Sequence, residues 1–156
     1  QRAAGVAPAR ALGASVILMD DGFQNPALAK DISLIVIDGD RGLGNGQVFP
    51  AGPLRAPLPP QLARTDALVI VGPGSAADDV AARIKAQGGL VFRARIVPDD
   101  ASVAALAAGA SWLRNNENLA AFAQTVAPFA VRLAFDDETL LRSFLVDRIA
   151  EARRSD

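Results

Sequence analysis

The chain has 156 residues, with 16 basic and 17 acidic side chains for a net charge of −1, and it contains neither cysteine nor histidine. A mixed, nearly neutral charge with no basic stripe excludes the electrostatic footprint of a nucleic-acid binder. Without thiols or imidazoles there are no disulfides and no zinc-type sites, so any metal must be a hard cation on oxygen ligands, with magnesium favoured.

This length suits one compact core. The opening QRAAGVAPARALGA is alanine-rich and lacks the apolar stretch of a secretory signal. No apolar run approaches the roughly 20 residues that cross a bilayer, so the chain reads as cytoplasmic. Residues 15–19 (SVILM) and 32–37 (ISLIVI) are short apolar runs rich in β-branched side chains, the pattern of strands covered on both faces. Residues 67–71 (ALVIV) repeat that pattern before the turn Gly72-Pro73-Gly74. Helical spacing follows over 76–87 at Val80, Ala81 and Ile84, Gly88-Gly89 stops it, and 90–97 reads as another strand. Farther on, 118–126 has helical character broken by Pro128, and 130–135 reads as a strand. Asp136 or Asp137 then caps a helix over 138–153. This rhythm predicts an α/β fold: an open, mostly parallel sheet flanked by helices. Residues 1–100 would form the part with the acidic turns, and 101–156 a strand-helix segment packed on the same core.

Two glycine-rich acidic turns carry the candidate chemistry, VILMDDGFQNPALAKD and LIVIDGDRGLGNGQVFPAGPLR. An apolar strand ending in carboxylates presents a magnesium ligand in phosphoryl-transfer enzymes, where the protein mostly positions groups and neutralises charge. Asp20 and Asp21 are adjacent and repel each other unless a cation relieves them; the plainer reading is that they cap the segment after a strand. Asp38 ends the next apolar run in the same way. The Gly42–Gly46 cluster runs into Val48-Phe49-Pro50 and not into a helix, so it is no dinucleotide fingerprint, and taken alone it is a flexible turn. Arg55 offers a guanidinium fork suited to phosphate or carboxylate, or it is a surface arginine after a proline turn. No G-x-x-x-x-G-K-[ST] phosphate loop occurs in the chain. A phosphoacceptor receiver domain also uses acidic pairs at strand ends, but Asp38 follows Asp21 too closely to be its acceptor.

In this order, DDGFQN, GNG and PAGPLR resemble the tetraacyldisaccharide 4'-kinase (lipid A disaccharide 4'-kinase) family, densely over about 11–72 and more loosely to Pro98. The closing FAVRLAFDDETLLRSFLVDRI is similar to the family's last strand and helix. The resemblance implies a P-loop-kinase-like fold and transfer of phosphate from ATP, with Mg2+, to the 4' hydroxyl of a membrane-embedded glucosamine disaccharide. It also implies a cytoplasmic protein peripheral at the inner membrane when full-length. By the same resemblance Asp20 and Asp21 form the acidic pair of the magnesium-nucleotide site, Phe23 and Gln24 shape its turn, and Asp38 stands nearby. Asn45 and the 50–55 loop would line the cleft between phosphates and sugar, with Arg55 as the clamp. Departures are Asn25, Lys30 and Ala56, where many members have His, Arg and Glu. The family's phosphate loop would precede Gln1, and its Asp-His-His and Thr-Glu-Lys-Asp stretches are missing, implying an internal deletion near 107–112. Two expectations follow: a partial kinase that is inactive alone, or a non-catalytic remnant that retains weak magnesium-nucleotide binding.

Overall fold

The computed structural model of the chain describes residues 2–19, 21–98 and 131–155. A 3-10 turn over Arg2–Gly5 leads into a short helix α1, Val6–Ala11, which ends where Gly13 (φ 84°) donates its N–H to the Arg10 carbonyl. Strands β1 (Leu34–Asp38), β2 (Ala67–Val71) and β3 (Leu90–Pro98) form a parallel sheet, and β4 (Val131–Phe135) pairs antiparallel with β3, giving the order β1-β2-β3-β4. Helix α2, Leu58–Leu62, precedes β2. Helix α3, Asp78–Ala86, connects β2 to β3, and α4, Glu138–Ser155, closes the chain. The expected α/β architecture with a mostly parallel sheet is therefore present. The expected helix at 118–126, the break at Pro128 and the junction near 107–112 lie outside the described residues.

Side chains of β2 alternate between two apolar layers, which is why its sequence shows no polar alternation. Leu68 and Ile70 pack with Leu62 of α2 and with Ala77, Val80, Ala81 and Ile84 at and along α3. Ala67 and Val69 face the other way, with Phe92 and Ala94 of β3 beneath Leu141 and Phe144 of α4. Phe92 and Phe144 meet at 5.9 Å between ring centroids, tilted by 47°, within the range favoured by aromatic pairs. The start of α4 is fixed by Asp137, whose Oδ1 accepts the Leu140 N–H at 2.8 Å, so of the two candidate caps the structure uses the second.

One expected strand is absent. Residues 15–19 are irregular and belong to no ladder, and Val16, Ile17 and Leu18 are exposed, Leu18 at 91%. A short apolar run becomes a strand only when a neighbour accepts its backbone hydrogen bonds, and among the described residues β1 pairs only with β2. The premise that a buried strand delivers Asp20 and Asp21 is thereby overturned. The edge position of β1 also explains its uneven burial. Ile37 lies in the α3-side core, whereas Val36, in register with Val69 on the other side, is 62% exposed. Leu34, on that same side, is exposed as well.

Replacing Ile70, which is 0% exposed, by alanine should lower the unfolding free energy by about 2–5 kcal/mol in urea denaturation. Val36→Ala, on the open edge, should stay within roughly 0.5 kcal/mol of the parent.

Candidate functional site

After β1 the chain turns back on itself because Asp38 caps it. Its Oδ1 accepts the N–H groups of Asp40 (2.8 Å) and Arg41 (3.1 Å), its carbonyl accepts the Gly42 N–H, and the Arg41 guanidinium lies 4.0 Å from its Oδ2. The Asp38 side chain is thus engaged in its own turn, the local role that short carboxylates favour. This loop crosses the one after β2 in close backbone contact: Gly39 donates to the Val71 carbonyl and Ala76 donates to the Gly39 carbonyl. A Cβ on Gly74 would collide with the Gly39 carbonyl oxygen and with Asp40, so only glycine fits there. Arg93 of β3 ties the same crossing from below. It donates to the Gly74 carbonyl (3.2 Å) and to Asp78 (2.5 Å) in the first turn of α3.

Asn45 organises the next loop. Its Nδ2 donates to the Ala51 carbonyl at 2.8 Å and its Oδ1 accepts the Gln47 N–H at 3.1 Å. Gly52 sits directly against Asn45, where a side chain would overlap the amide oxygen. A bridge between Val48 and Leu54, with a cis peptide at Phe49-Pro50, closes the loop and leaves Phe49 exposed. The closed loop sets where Arg55 leaves it. Asn45 therefore acts on the 50–55 segment through the backbone.

The DDGFQN turn docks on the segment that follows. Asp20 lies outside the described residues. Asp21 takes a positive φ of 51°, a conformation that Asp tolerates better than most side chains, and its Oδ2 lies 2.8 Å from a guanidinium nitrogen of Arg55. Phe23 lies beneath the Arg64 guanidinium, 5.8 Å from centroid to Cζ. The Gln24 Nε2 donates to the Gln61 Oε1 at 2.9 Å, and the Gln61 Nε2 donates to the Ala56 carbonyl at 2.7 Å. Within the turn, Asn25 Oδ1 accepts the Ala27 N–H, and the Lys30 ammonium donates to the carbonyls of Asn25 and Leu28. Asn25, Lys30 and Ala56, the three departures from the family pattern, thus all have local structural roles here.

Of the residues singled out in the sequence, the structure brings Asp21 and Arg55 together and anchors Phe23 and Gln24 to the same 55–64 segment. Asp38 and Asn45 shape their own loops. Gln61 and Arg64 escaped the sequence reading because α2 was not foreseen in PLPPQL. The signal was the paired prolines, which suit a first helical turn whose N–H groups lack partners anyway. A separate cleft of about 400 Å³ opens at the opposite end of the parallel strands, lined by Asp66, Leu90, Ser143, Arg148 and Glu151 among others. Its charges mostly face one another, since Arg148 pairs with both Asp66 and Glu151, so it serves to dock α4.

Among the described residues, no group of three or more carboxylates is placed to enclose a metal. Magnesium rarely needs such a cage, because it usually keeps several waters and takes one or two carboxylates together with phosphate oxygens. The half-exposed Asp21 carboxylate suits that mode. No described helix is long and apolar enough to cross a membrane.

The sequence model of the family described as tetraacyldisaccharide-1-P 4'-kinase matches residues 1–135. A tetraacyldisaccharide 4'-kinase of Nitrobacter winogradskyi is 60% identical over 218 aligned positions, covering all of this chain and 65% of the relative. One from Rhodopseudomonas palustris strain BisB18 is 47% identical over 97% of this chain and 62% of its own length. Another, from Bradyrhizobium sp. strain BTAi1, is 72% identical over 106 residues, 68% of this chain. The chain spans about 65% of the length of the relatives that it matches end to end. Aligning 156 residues over 218 positions leaves 62 positions without a residue of this chain. No solved structure matches it. By the extent of the family match, the chain belongs to the tetraacyldisaccharide-1-P 4'-kinase family.

Proposed function

We propose that this chain is the phosphate-facing part of an ATP-dependent kinase that phosphorylates the 4' hydroxyl of the tetraacyl glucosamine disaccharide precursor of lipid A, working from the cytoplasmic side at the membrane surface. The observation that carries the reading is the Asp21–Arg55 pair, which joins the two most family-specific motifs in one contact. The pair has little value as a structural element. Arg55 is 67% and Asp21 47% exposed, and an ion pair so open to water contributes at most about 1 kcal/mol. Asp21 moreover stands in a left-handed turn, a conformation that tends to persist at functional sites.

In this reading Asp21, with Asp20 beside it in sequence, would hold Mg2+; when bound, the ion supplies charge neutralisation at the phosphate oxygens. Arg55 binds a phosphate oxygen pair through its planar fork, which a lysine reproduces poorly. Asn45 and the closed 47–54 loop hold Arg55 at a fixed reach, and Phe23 and Gln24 hold the turn that carries Asp21. Positioning of this kind is most of what a protein contributes to phosphoryl transfer. The described part of residues 101–156 is read as one core with residues 1–100, β4 extending the sheet at its far edge and α4 covering one of its faces.

The alternative is a non-catalytic member of the family that keeps only magnesium-nucleotide binding. It is favoured by the absence of histidine and by the 62 alignment positions without a residue of this chain. An internal gap near 107–112, expected from the sequence, would account for such a count. Transfer of labelled γ-phosphate from ATP to the tetraacyl disaccharide in detergent micelles tests whether this polypeptide is active by itself. The 156-residue polypeptide alone is expected to give no appreciable product, because its sequence has neither a histidine to act as base nor a G-x-x-x-x-G-K-[ST] run to cradle the nucleotide. Turnover comparable to that of a full-length relative would overturn that expectation.

Calorimetric titration with Mg2+ and ATP should show binding that falls about tenfold, or about 1.4 kcal/mol, in Asp21→Asn. Asparagine tolerates the same backbone conformation, so the thermal midpoint should barely move. Equal affinity in parent and variant removes Asp21 from the nucleotide site.

A further inference from the structure

Gln61 is 7% exposed, and both ends of its side-chain amide are used. The direction of these bonds follows from chemistry. The Ala56 carbonyl can only accept, so Gln61 must present its NH2 group there and its oxygen towards Gln24. Gln24 in turn must present its own NH2 group. Ala56 is the residue after Arg55, and Gln24 lies three residues after Asp21. The hydrogen bonds through Gln61 and the Asp21–Arg55 ion pair therefore close a ring: from Asp21 to Arg55, along the backbone to Ala56, through Gln61 to Gln24, and back along the turn to Asp21.

We propose that Gln61 is a positioning residue that fixes Arg55 against Asp21. That Arg55 serves a phosphate rests on the function proposed above; that Gln61 sets its place does not. The exposed ion pair has too little energy to fix two mobile side chains by itself. The buried amide links both backbones, and within that frame the guanidinium has a short search to its partner. Gln61 stands on α2, whose Leu62 is buried in the α3-side core, so the ring is referred to the rigid sheet and not to the loops alone. The backbone carbonyl of Gln61 also accepts the Thr65 hydroxyl, which steadies the end of the helix.

The test reads Arg55 directly, by NMR of its side-chain Nε–H in the full 156-residue chain, assigned by its disappearance in Arg55→Lys. Asp21→Gly, which removes the acceptor and tolerates the positive φ, supplies the reference position for a free guanidinium. In Gln61→Leu, which keeps the buried volume, the signal should move at least about halfway to that reference, while the chain stays folded by circular dichroism. Gln24→Leu, at a half-buried position, should produce the same displacement and serves as the deciding variant should Gln61→Leu not fold. Gln61→Glu provides a readout that general loosening would not. A protonated Glu is an isostere of Gln that donates to the Ala56 carbonyl and accepts from Gln24, whereas the ionised form offers only acceptors. Burial raises the pKa of such a carboxyl above its usual range. The Arg55 signal should thus be parent-like at about pH 5.5 and displaced at about pH 8, against the parent chain at each pH. A folded Gln61→Leu or Gln24→Leu chain with Arg55 at its parent position overturns the proposal, as does a pH-independent Gln61→Glu. Titration of the same variants with Mg2+ and ATP reports separately on the phosphate role. Failure of the parent to bind would remove the proposed function and leave the assignment of Gln61 to the NMR result.

Discussion

Asp66 fixes the frame on which the remainder of the structure is built. Its N–H donates to the Ser33 carbonyl and its Oδ2 accepts the Ser33 N–H, so β1 and β2 start together. Its carbonyl accepts the Leu90 N–H, which starts β3 at the same level, and its Oδ1 pairs with Arg148 of α4. One half-buried residue thereby registers three strands and docks the closing helix. With the register set as Leu34 opposite Ala67 opposite Leu90, the other ends of β1 and β2 align at Asp38 and Val71. The loops leaving those ends must then cross, and the crossing is the place where Gly39 and Gly74 meet.

The division of labour between the two ends of the sheet follows from that register. The starts of the strands are closed by paired charges and by the packing of α4. The far ends open into loops whose shape is set by short polar side chains acting on backbone groups: Asp38 on its own turn, Asn45 on the 47–54 loop, and Arg93 on the Gly74 crossing. Neither half of the Asp21–Arg55 pair belongs to a strand. Its position depends on docking of the DDGFQN turn onto the 55–64 segment, through Phe23 on Arg64 and Gln24 on Gln61. The acidic turn is thus held by side-chain contacts with α2 and with Arg64 just beyond it.

Magnitudes separate scaffold from site. Buried residues such as Ile70 and Leu68 each contribute several kcal/mol through apolar burial and close packing. The exposed Asp21–Arg55 pair contributes little to folding, so parting its two charges would cost little stability, which the function proposed above requires.

The sequence by itself determined the elements whose character is local. Periodicity identified β2, α3, β3 and α4 within a residue or two, because a fully buried strand and an amphipathic helix each have a signature within a few residues. The motif words identified the family and pointed to both members of the Asp21–Arg55 pair. Tertiary structure alone decided the rest. Residues 15–19 have the composition of a strand, but a ladder needs a partner, and no described neighbour accepts them. Asp38 stands at a strand end as its sequence suggests, and only the structure shows that its Oδ1 accepts the amides of its own turn. Gln61 carries no signal in sequence, because its importance lies in joining residues 37 positions upstream and five upstream through one buried amide. Such closure of a ring across the chain is a property of packing in three dimensions.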